Sequence, residues 1–341
     1  MTLTIPSETN VDIIHAKVHA RRAAMYEKER LARLCGLRSF PSLVAEVFPE
    51  EGIEDHRQFQ KRLTEDHLSQ LTWIPDHLGG HPHALFTWML RRHQIENLKV
   101  IFRGFHARRG AQEVARHLIS TPEELALPAR QMLSASTAAE LAELVPGKQL
   151  KAAALAGAAV YKKKAEPFFF EAALDGFFYS RLLQLAGEPS IEDLTCCLPM
   201  LALDANSYLI ILVLRARFNY DAPFDEIEPF VRVRGAVPVT TLHAVHSADS
   251  LRQAVEALPK HLGKVVGRDI DDAQALERSL KSYLYTRANA AFYGSGVTMA
   301  VPVAFYYLKR IELENLIRLT EAYRYGLSTD EMRRGLVPPV E

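Results

Sequence analysis

An asparagine recurs at constant spacing inside apolar, helix-like segments of this chain. It occupies positions 97, 206 and 315, so 109 residues separate the first from the second and the second from the third. This period is too long for a solenoid, whose units span about 20–50 residues. The spacing predicts three similar subdomains arranged about a pseudo-threefold axis.

The segments around the asparagines repeat with nearly the same period. Residues 136–141 resemble residues 246–251, and residues 171–181 resemble residues 277–287. The acidic pair that follows Asn206 comes four residues later than its counterparts, which indicates an insertion at residues 221–223. The predicted organisation is one body over residues 1–341, with repeats at roughly 15–125, 126–235 and 236–337.

Helical patterns dominate the sequence, which favours an all-α fold. Strong helix formers fill residues 15–34, and apolar residues recur at helical spacing in residues 168–186 and 276–292. The best strand candidate is Val231–Val239, which Gly235 and Pro238 interrupt. No Gly/Ser-rich linker divides the chain, so we expect a single helical body.

The three asparagines are predicted to have a structural role. Asparagine is a poor residue for a helix interior, because its side chain competes for backbone hydrogen bonds. A buried amide without partners costs about 1–3 kcal/mol. We therefore expect Asn97, Asn206 and Asn315 each to bind the backbone of a neighbouring helix or loop.

Charge and cysteine content exclude several classes of protein. The chain carries 41 basic and 41 acidic residues, so it lacks the basic surplus of a nucleic-acid-binding protein. Three cysteines and a polar start at residues 1–10 predict no secretory signal and a reducing compartment. Residues 288–308 carry no charge, but their Gly, Asn and Pro content predicts a loop and a buried helix rather than a membrane span.

Catalytic and nucleotide-binding motifs are missing from the sequence. The pairs Gly147-Lys148 and Gly263-Lys264 lack the following Ser or Thr of a phosphate loop. Adjacent Cys196 and Cys197 lie in an apolar run and are predicted to be buried and inert. We therefore expect no catalytic residue, no cofactor, no metal and no bound nucleotide.

One cluster leaves an alternative open. His77, His81 and His83 lie close together, and imidazole is a good zinc ligand, so a metal-dependent enzyme on a helical scaffold is the competing hypothesis. Prolines and glycines at residues 75–82 instead predict a polar loop leading into a helix at residues 83–103.

Several motifs resemble one known family over about residues 15–337. Residues 307–316 (YLKRIELENL) resemble the Y-L-x-K-E-I-E-x-x-N-L helix of the C-type central-stalk subunits of archaeal and bacterial V/A-type rotary ATPases, whose eukaryotic counterpart is the d subunit. Residues 16–22, 95–101 and 327–332 resemble the opening helix, the N-L-(R/K)-x-I pattern and the closing acidic helix start. Arg310 stands where the family commonly has Glu, and the middle repeat keeps little beyond Asn206.

This resemblance implies a non-catalytic rotor protein. It implies a funnel of three helical subdomains at the cytoplasmic face of the membrane, one copy per complex. The funnel would hold the D and F axle subunits, sit on the proteolipid ring and transmit torque for proton or sodium transport. Candidate partner contacts are Arg103, Arg215 and Arg324, near the ends of the repeated helices. A generic helical adaptor is the remaining alternative.

Overall fold

The protein is all-α, as the sequence predicts. A computed structural model describes residues 9–187, 192–266, 272–294 and 296–340, and every regular element in these residues is helical. The polar start, from which we predicted the absence of a secretory signal, covers residues 1–10, and residues 1–8 of it lie outside the described residues.

The α-helices vary from one turn to seven turns in length, and two single turns of 3₁₀-helix lie at Pro75–His77 and Glu123–Leu125. In chain order the α-helices are α1 (Val11–Arg22), α2 (Lys28–Cys35), α3 (Phe40–Val47), α4 (His56–Ser69), α5 (Gly80–His106), α6 (Ala111–Ala115), α7 (Ala129–Leu133), α8 (Ala138–Glu143), α9 (Lys148–Lys164), α10 (Pro167–Ala186), α11 (Glu192–Thr195), α12 (Leu198–Tyr220), α13 (Phe224–Val231), α14 (Val239–His246), α15 (Leu251–Glu256), α16 (Lys260–Val266), α17 (Ala273–Phe292), α18 (Ala300–Tyr325) and α19 (Thr329–Gly335).

The chain divides into two compact units. The first unit comprises Met1–Phe86, Glu192–Met200 and Gln274–Glu341, and the second comprises Thr87–Ile191 and Leu201–Ala273. The predicted division into three repeats stays a prediction.

The core of the first unit combines residues from both ends of the chain. Helices α2, α3 and α4 contribute apolar side chains from one end, and α18 and α19 contribute them from the other. Its buried members include Leu34, Leu43, Phe59, Leu316, Leu319 and Leu336. The Tyr323 hydroxyl adds a polar link by donating to the Leu37 carbonyl at 3.1 Å. The first unit is therefore complete only when both chain ends are present.

Helix α18 has local signals at both ends. Pro302 lies in its first turn, where a missing N–H costs no helical hydrogen bond. Gly326 ends the helix in the left-handed conformation, with φ of 66°, which glycine adopts without steric cost. Ser328 and Glu331 then form a capping box that starts α19.

Small residues let helices of the second unit approach closely. Helices α9 and α10 form a hairpin, joined through Ala165 in the left-handed conformation. A Cβ atom on Gly157 would lie 2.9 Å from the Phe170 Cα atom. One on Gly176 of α10 would lie 2.1 Å from the Phe230 carbonyl oxygen of α13. Both positions therefore require glycine for packing rather than for backbone conformation.

Several predicted boundaries were wrong. The helix predicted over residues 15–34 is divided into α1 and α2. The region predicted as a strand, Val231–Val239, is the end of α13, a turn and the start of α14. Helix α5 begins at Gly80 and ends at His106, so it is longer at both ends than predicted.

The segment tested as a membrane span folds as predicted where the structure describes it. It contains the end of α17, a turn and the start of α18, and residues 300–308 are buried. Among the described residues, one helix is long and apolar enough to span a bilayer. This is α12, with 61% of its most apolar window buried. A buried core helix meets the same criterion, so length and composition here are weak support for a span.

Candidate functional site

Asn97 and Asn315 make the same pair of hydrogen bonds. The Asn97 side chain accepts from the Ile119 N–H at 2.9 Å and donates to the Ile119 carbonyl at 2.8 Å. Asn315 makes the equivalent bonds to Val337, at 2.9 and 2.7 Å. Both partners lie 22 residues downstream of their asparagine. Each side-chain amide therefore links a long helix, α5 or α18, to the segment that follows the next short helix, α6 or α19.

Asn206 makes a related contact in the middle segment. The side-chain oxygen of Asn206 accepts a hydrogen bond from the Val237 N–H at 2.6 Å, and Val237 lies 31 residues downstream. The sequence contains a signal for this partner that the repeat search missed. Gly235-Ala236-Val237-Pro238 and Gly335-Leu336-Val337-Pro338 share a G-x-V-P pattern, and the valine of each binds an asparagine.

Replacing these amides should destabilise the protein. Asn97 and Asn315 are 5% and 2% exposed, so leucine would leave the N–H and the carbonyl of half-buried Ile119, or of buried Val337, without these partners. We expect Asn97→Leu and Asn315→Leu each to lower the free energy of unfolding by about 1–3 kcal/mol. Denaturant titration followed by circular dichroism measures the change. Asn219→Leu, at an exposed position of α12, is the control and should change it by less than about 0.5 kcal/mol. Equal midpoints for all variants would contradict the structural role.

Charged residues beside the first asparagine form a node in the second unit. Asp175 of α10 is buried and accepts from Arg92 at 3.1 Å and from Lys99 at 2.7 Å, both on α5. Glu96 also contacts these two cations, at 2.9 and 3.1 Å. Burial acts to raise the pKa of Glu96, but Arg92 and Lys99 outweigh it and lower this pKa to about 2.

Helix α12 reaches the same node through Tyr208. Burial, and then the neighbouring Asp175 carboxylate, raise the pKa of the Tyr208 hydroxyl well above its usual range. The Tyr208 ring stacks on Tyr179, with centroids 4.8 Å apart. The Asp175 node, defined by Arg92, Lys99, Asp175 and Tyr208, therefore joins α5, α10 and α12.

The third asparagine helix carries a similar arrangement in the first unit. Glu314 precedes Asn315 just as Glu96 precedes Asn97, and Arg310 lies four residues before Glu314, as Arg92 does before Glu96. Glu314 accepts from Lys281 of α17 at 2.7 Å. Burial acts to raise the pKa of Glu314, and Lys281 and Arg310 more than offset it, so this pKa is lowered.

The middle asparagine helix has apolar residues at these positions. Leu201 and Ala205 replace the arginine and the glutamate, and both are fully buried. The middle helix therefore lacks the charged pair that precedes the asparagine in the other two helices.

The three candidate arginines are all exposed. Arg103 forms two hydrogen bonds with Glu171, at 2.6 and 2.7 Å. Arg215 lies over the Phe168 ring at 6.0 Å, and Arg324 pairs with Glu321 at 3.3 Å. Arg103 and Arg215 belong to the second unit and Arg324 to the first.

Only two of the three candidate arginines occupy equivalent positions relative to the repeated asparagines. Arg215 and Arg324 lie nine residues after their asparagines, and the residue nine after Asn97 is His106, not Arg103. His106 is exposed and bonds to the Tyr161 hydroxyl at 2.8 Å. Counting from the asparagine would have identified it.

Exposed aromatic side chains accompany two of these positions. Phe218 and Tyr220 end α12 with exposures of 45% and 37%. Tyr325, at the end of α18, is 70% exposed and lies 5.5 Å from the Arg324 guanidinium. Exposed Tyr and Arg side chains in proximity are typical of protein–protein contacts.

The histidine cluster does not form a metal centre in the structure. His77 Nε2 bonds to the Lys17 ammonium at 3.1 Å, and His83 Nδ1 bonds to the Pro75 carbonyl at 3.0 Å. Within the described residues, no group of three or more His, Cys, Asp or Glu side chains is placed to hold a metal ion. The structure thus gives no support to the metal-dependent enzyme.

A cavity of 310 Å³ in the first unit is largely apolar. Its buried acid, Glu312, accepts from the Tyr26 N–H at 2.6 Å and pairs with Lys309. Burial raises the pKa of Glu312, and Lys309 partly opposes this change. Because both oxygens have structural partners, this carboxylate ties α18 to the chain between α1 and α2.

Comparison with known proteins identifies the family. No curated protein matches the chain. The family model of the ATP synthase (C/AC39) subunit matches residues 14–335, close to the range over which the motifs suggested a resemblance, which is thereby confirmed. Because this match covers nearly the whole chain, it leads to one conclusion: the chain belongs to the ATP synthase (C/AC39) subunit family.

Proposed function

We propose that this chain is the central-stalk rotor component of a V/A-type ATPase. In this role it links the D and F axle subunits to the membrane proteolipid ring at the cytoplasmic face and transmits torque for proton or sodium transport. It works as one copy per complex, binds no nucleotide and carries no catalytic residue. The family match over residues 14–335 is the observation that carries the proposal, because it spans nearly the whole chain.

Torque transmission requires a body that resists internal slippage. Helices α5 and α18 contain 27 and 26 residues, so each is about 40 Å long at 1.5 Å per residue. Asn97 and Asn315 fasten these helices to the chain segments that return along them. The Asp175 node opposes sliding of its helices, because its buried charges must keep their partners, and the partly exposed Lys281–Glu314 pair adds a second link between α17 and α18.

The ends of the repeated helices supply candidate contacts. Arg324 lies beside the exposed ring of Tyr325, and Arg215 lies three residues before the exposed Phe218 on α12. Arg103 has an internal partner in Glu171, so we propose His106 in its place for the first helix. Because the net charge of the chain is zero, we expect binding energy to come from a few exposed aromatic and cationic side chains at the interface rather than from overall charge attraction.

Reconstitution with and without the chain tests this function. The axle, the catalytic head and the ring are assembled in vesicles, and ATP hydrolysis and ATP-driven ion uptake are measured together. Without the chain, we expect hydrolysis to continue while uptake falls to the level of passive leak, because nothing joins axle to ring. The isolated chain should hydrolyse no ATP. Equal uptake with and without it would refute a coupling role.

A surface variant within the same assay tests the proposed contacts. Combining Arg324→Glu with Tyr325→Ser should weaken assembly by roughly tenfold or more, as expected for the loss of an interface anchor. Arg252→Glu, on the exposed face of α15, makes the same charge change elsewhere and should leave assembly unchanged. Normal assembly of the double variant would exclude the end of α18 from the interface.

A further inference from the structure

Two adjacent cysteines form a thiol pair between α11 and α12 in the first unit. The Cys196 and Cys197 sulfur atoms lie 3.8 Å apart, and both thiols are reduced. Cys197 is fully buried, as predicted, but the prediction was wrong for Cys196, which is exposed. The pair therefore joins one thiol that solvent reaches to one that it does not.

The surroundings of Cys196 favour its thiolate. The hydrogen bond from Cys197 has the largest effect; partial burial opposes it, and the Ala300 N–H and Thr298 hydroxyl add to it. Together these lower the pKa of Cys196 to about 6. The same hydrogen bond and burial raise the pKa of Cys197 well above its usual range. One sulfur is thus the nucleophile at neutral pH, and the other keeps its proton.

We propose that Cys196 and Cys197 form a reversible redox site, in which a hydroperoxide oxidises Cys196 and Cys197 resolves the product as a disulfide between neighbouring residues. The geometry supports each half of this reaction. Cys196 is exposed, so a small oxidant can reach its sulfur atom. The sulfenic acid formed there would lie beside the Cys197 sulfur, 3.8 Å away, which is the group that attacks it in the second step. The inference does not depend on the proposed rotor function.

The two steps balance in atoms and electrons. The Cys196 thiolate attacks one peroxide oxygen and breaks the O–O bond, giving a sulfenic acid and a hydroxide, or an alkoxide from an organic hydroperoxide, which takes a proton and leaves as water or an alcohol. The Cys197 sulfur then attacks the Cys196 sulfur, and the sulfenic oxygen leaves as water with the Cys197 proton. Two thiols thus lose two electrons, and one hydroperoxide is reduced.

The resulting disulfide is expected to be easily reduced. Neighbouring Cα atoms are about 3.8 Å apart across a trans peptide, less than the roughly 4.4–6.8 Å that disulfides usually span. A bond closed in this way is readily reopened by thiols, as in labile regulatory disulfides. Because the Met200 N–H bonds to the Cys197 carbonyl at 3.1 Å, the rearrangement acts directly on the first turn of α12.

Mass spectrometry of the full-length chain tests the redox site. The protein is treated at pH 7 with one equivalent of hydrogen peroxide, and peptides are mapped without reduction. We expect the wild-type peptide with both cysteines to lose two hydrogen masses and to regain them with dithiothreitol. In Cys197→Ser, which keeps a hydroxyl donor beside Cys196 but cannot form a disulfide, the sulfenic acid should persist at Cys196 and react with dimedone.

Matched variants decide the assignment. In Cys196→Ser, neither Cys197 nor Cys35 should be oxidised under these conditions, because both thiols are buried away from the oxidant. Circular dichroism checks that the variants are folded. The proposal is overturned if wild-type protein keeps both thiols, if it forms a disulfide only between two chains, or if Cys196→Ser is oxidised as fast as wild type.

Discussion

Replacing Asp175 with alanine is expected to lower the free energy of unfolding by about 3–5 kcal/mol. Asp175 is 4% exposed and is the shared partner of Lys99, which is also 4% exposed, and of Arg92. Its removal would leave the Lys99 ammonium buried, with only the partly exposed Glu96 beside it. Taking a charge out of water without its partner is among the most costly single changes in a folded protein.

Two further variants separate this effect from a general loss of packing. The double variant Asp175→Leu with Lys99→Met removes both charges and should recover most of the lost stability, since an apolar pair of similar volume is often as stable as a buried ion pair. Glu113→Ala removes an exposed pair with Arg109 in the same unit and should cost at most about 1 kcal/mol. Denaturant midpoints give the comparison. An Asp175→Ala midpoint close to that of Glu113→Ala would mean that water reaches the node.

Gly176→Ala should be nearly as damaging, although it adds a single methyl group. The new Cβ atom would lie 2.1 Å from the Phe230 carbonyl oxygen, and a backbone atom cannot move aside as a side chain can. Helices α10 and α13 must then separate. We expect a loss of roughly 3 kcal/mol, the upper range for overpacking, despite the better helix propensity of alanine.

Gly263→Ala is the matched control for this substitution. It lies in a helix of the same unit, and no atom comes within 3.8 Å of the position of its new Cβ atom. It should leave stability unchanged or raise it by up to about 1 kcal/mol. Thermal unfolding followed by circular dichroism measures both variants. Similar melting temperatures for the two would show that α10 and α13 are not in tight contact.

The sequence was sufficient for the fold class because helical periodicity is a local property. It was insufficient where distant residues decide the local structure. The helix predicted over residues 15–34 is interrupted near residue 26, because the Tyr26 N–H donates to the Glu312 carboxylate, 286 residues away, rather than to a carbonyl of α1. The turn at residues 232–238 has the composition of a strand, but the Val237 N–H donates to the Asn206 side chain. The described residues contain no strand with which it could pair.

The candidate site shows the same division. The asparagines were found from their spacing, because a repeated polar residue in an apolar helix is visible in one dimension. Their partners were not found, since a backbone N–H carries no side-chain signature. Arg103 was chosen for its place near a helix end, but its pairing with Glu171 depends on how α10 packs, 68 residues further along the chain.

The shared core of the two chain ends has a consequence for biosynthesis. Leu34, Leu43 and Phe59 leave the ribosome early, whereas Leu316 and Leu319, which cover them, are translated about 250 residues later. At about 5–20 residues per second, the apolar faces of α2–α4 stay uncovered for roughly 12–50 s. During this interval the second unit, which needs no residue beyond Ala273, is free to fold first. The nascent chain therefore exposes this apolar surface to chaperones for a limited time, which ends when α18 leaves the ribosome and covers it.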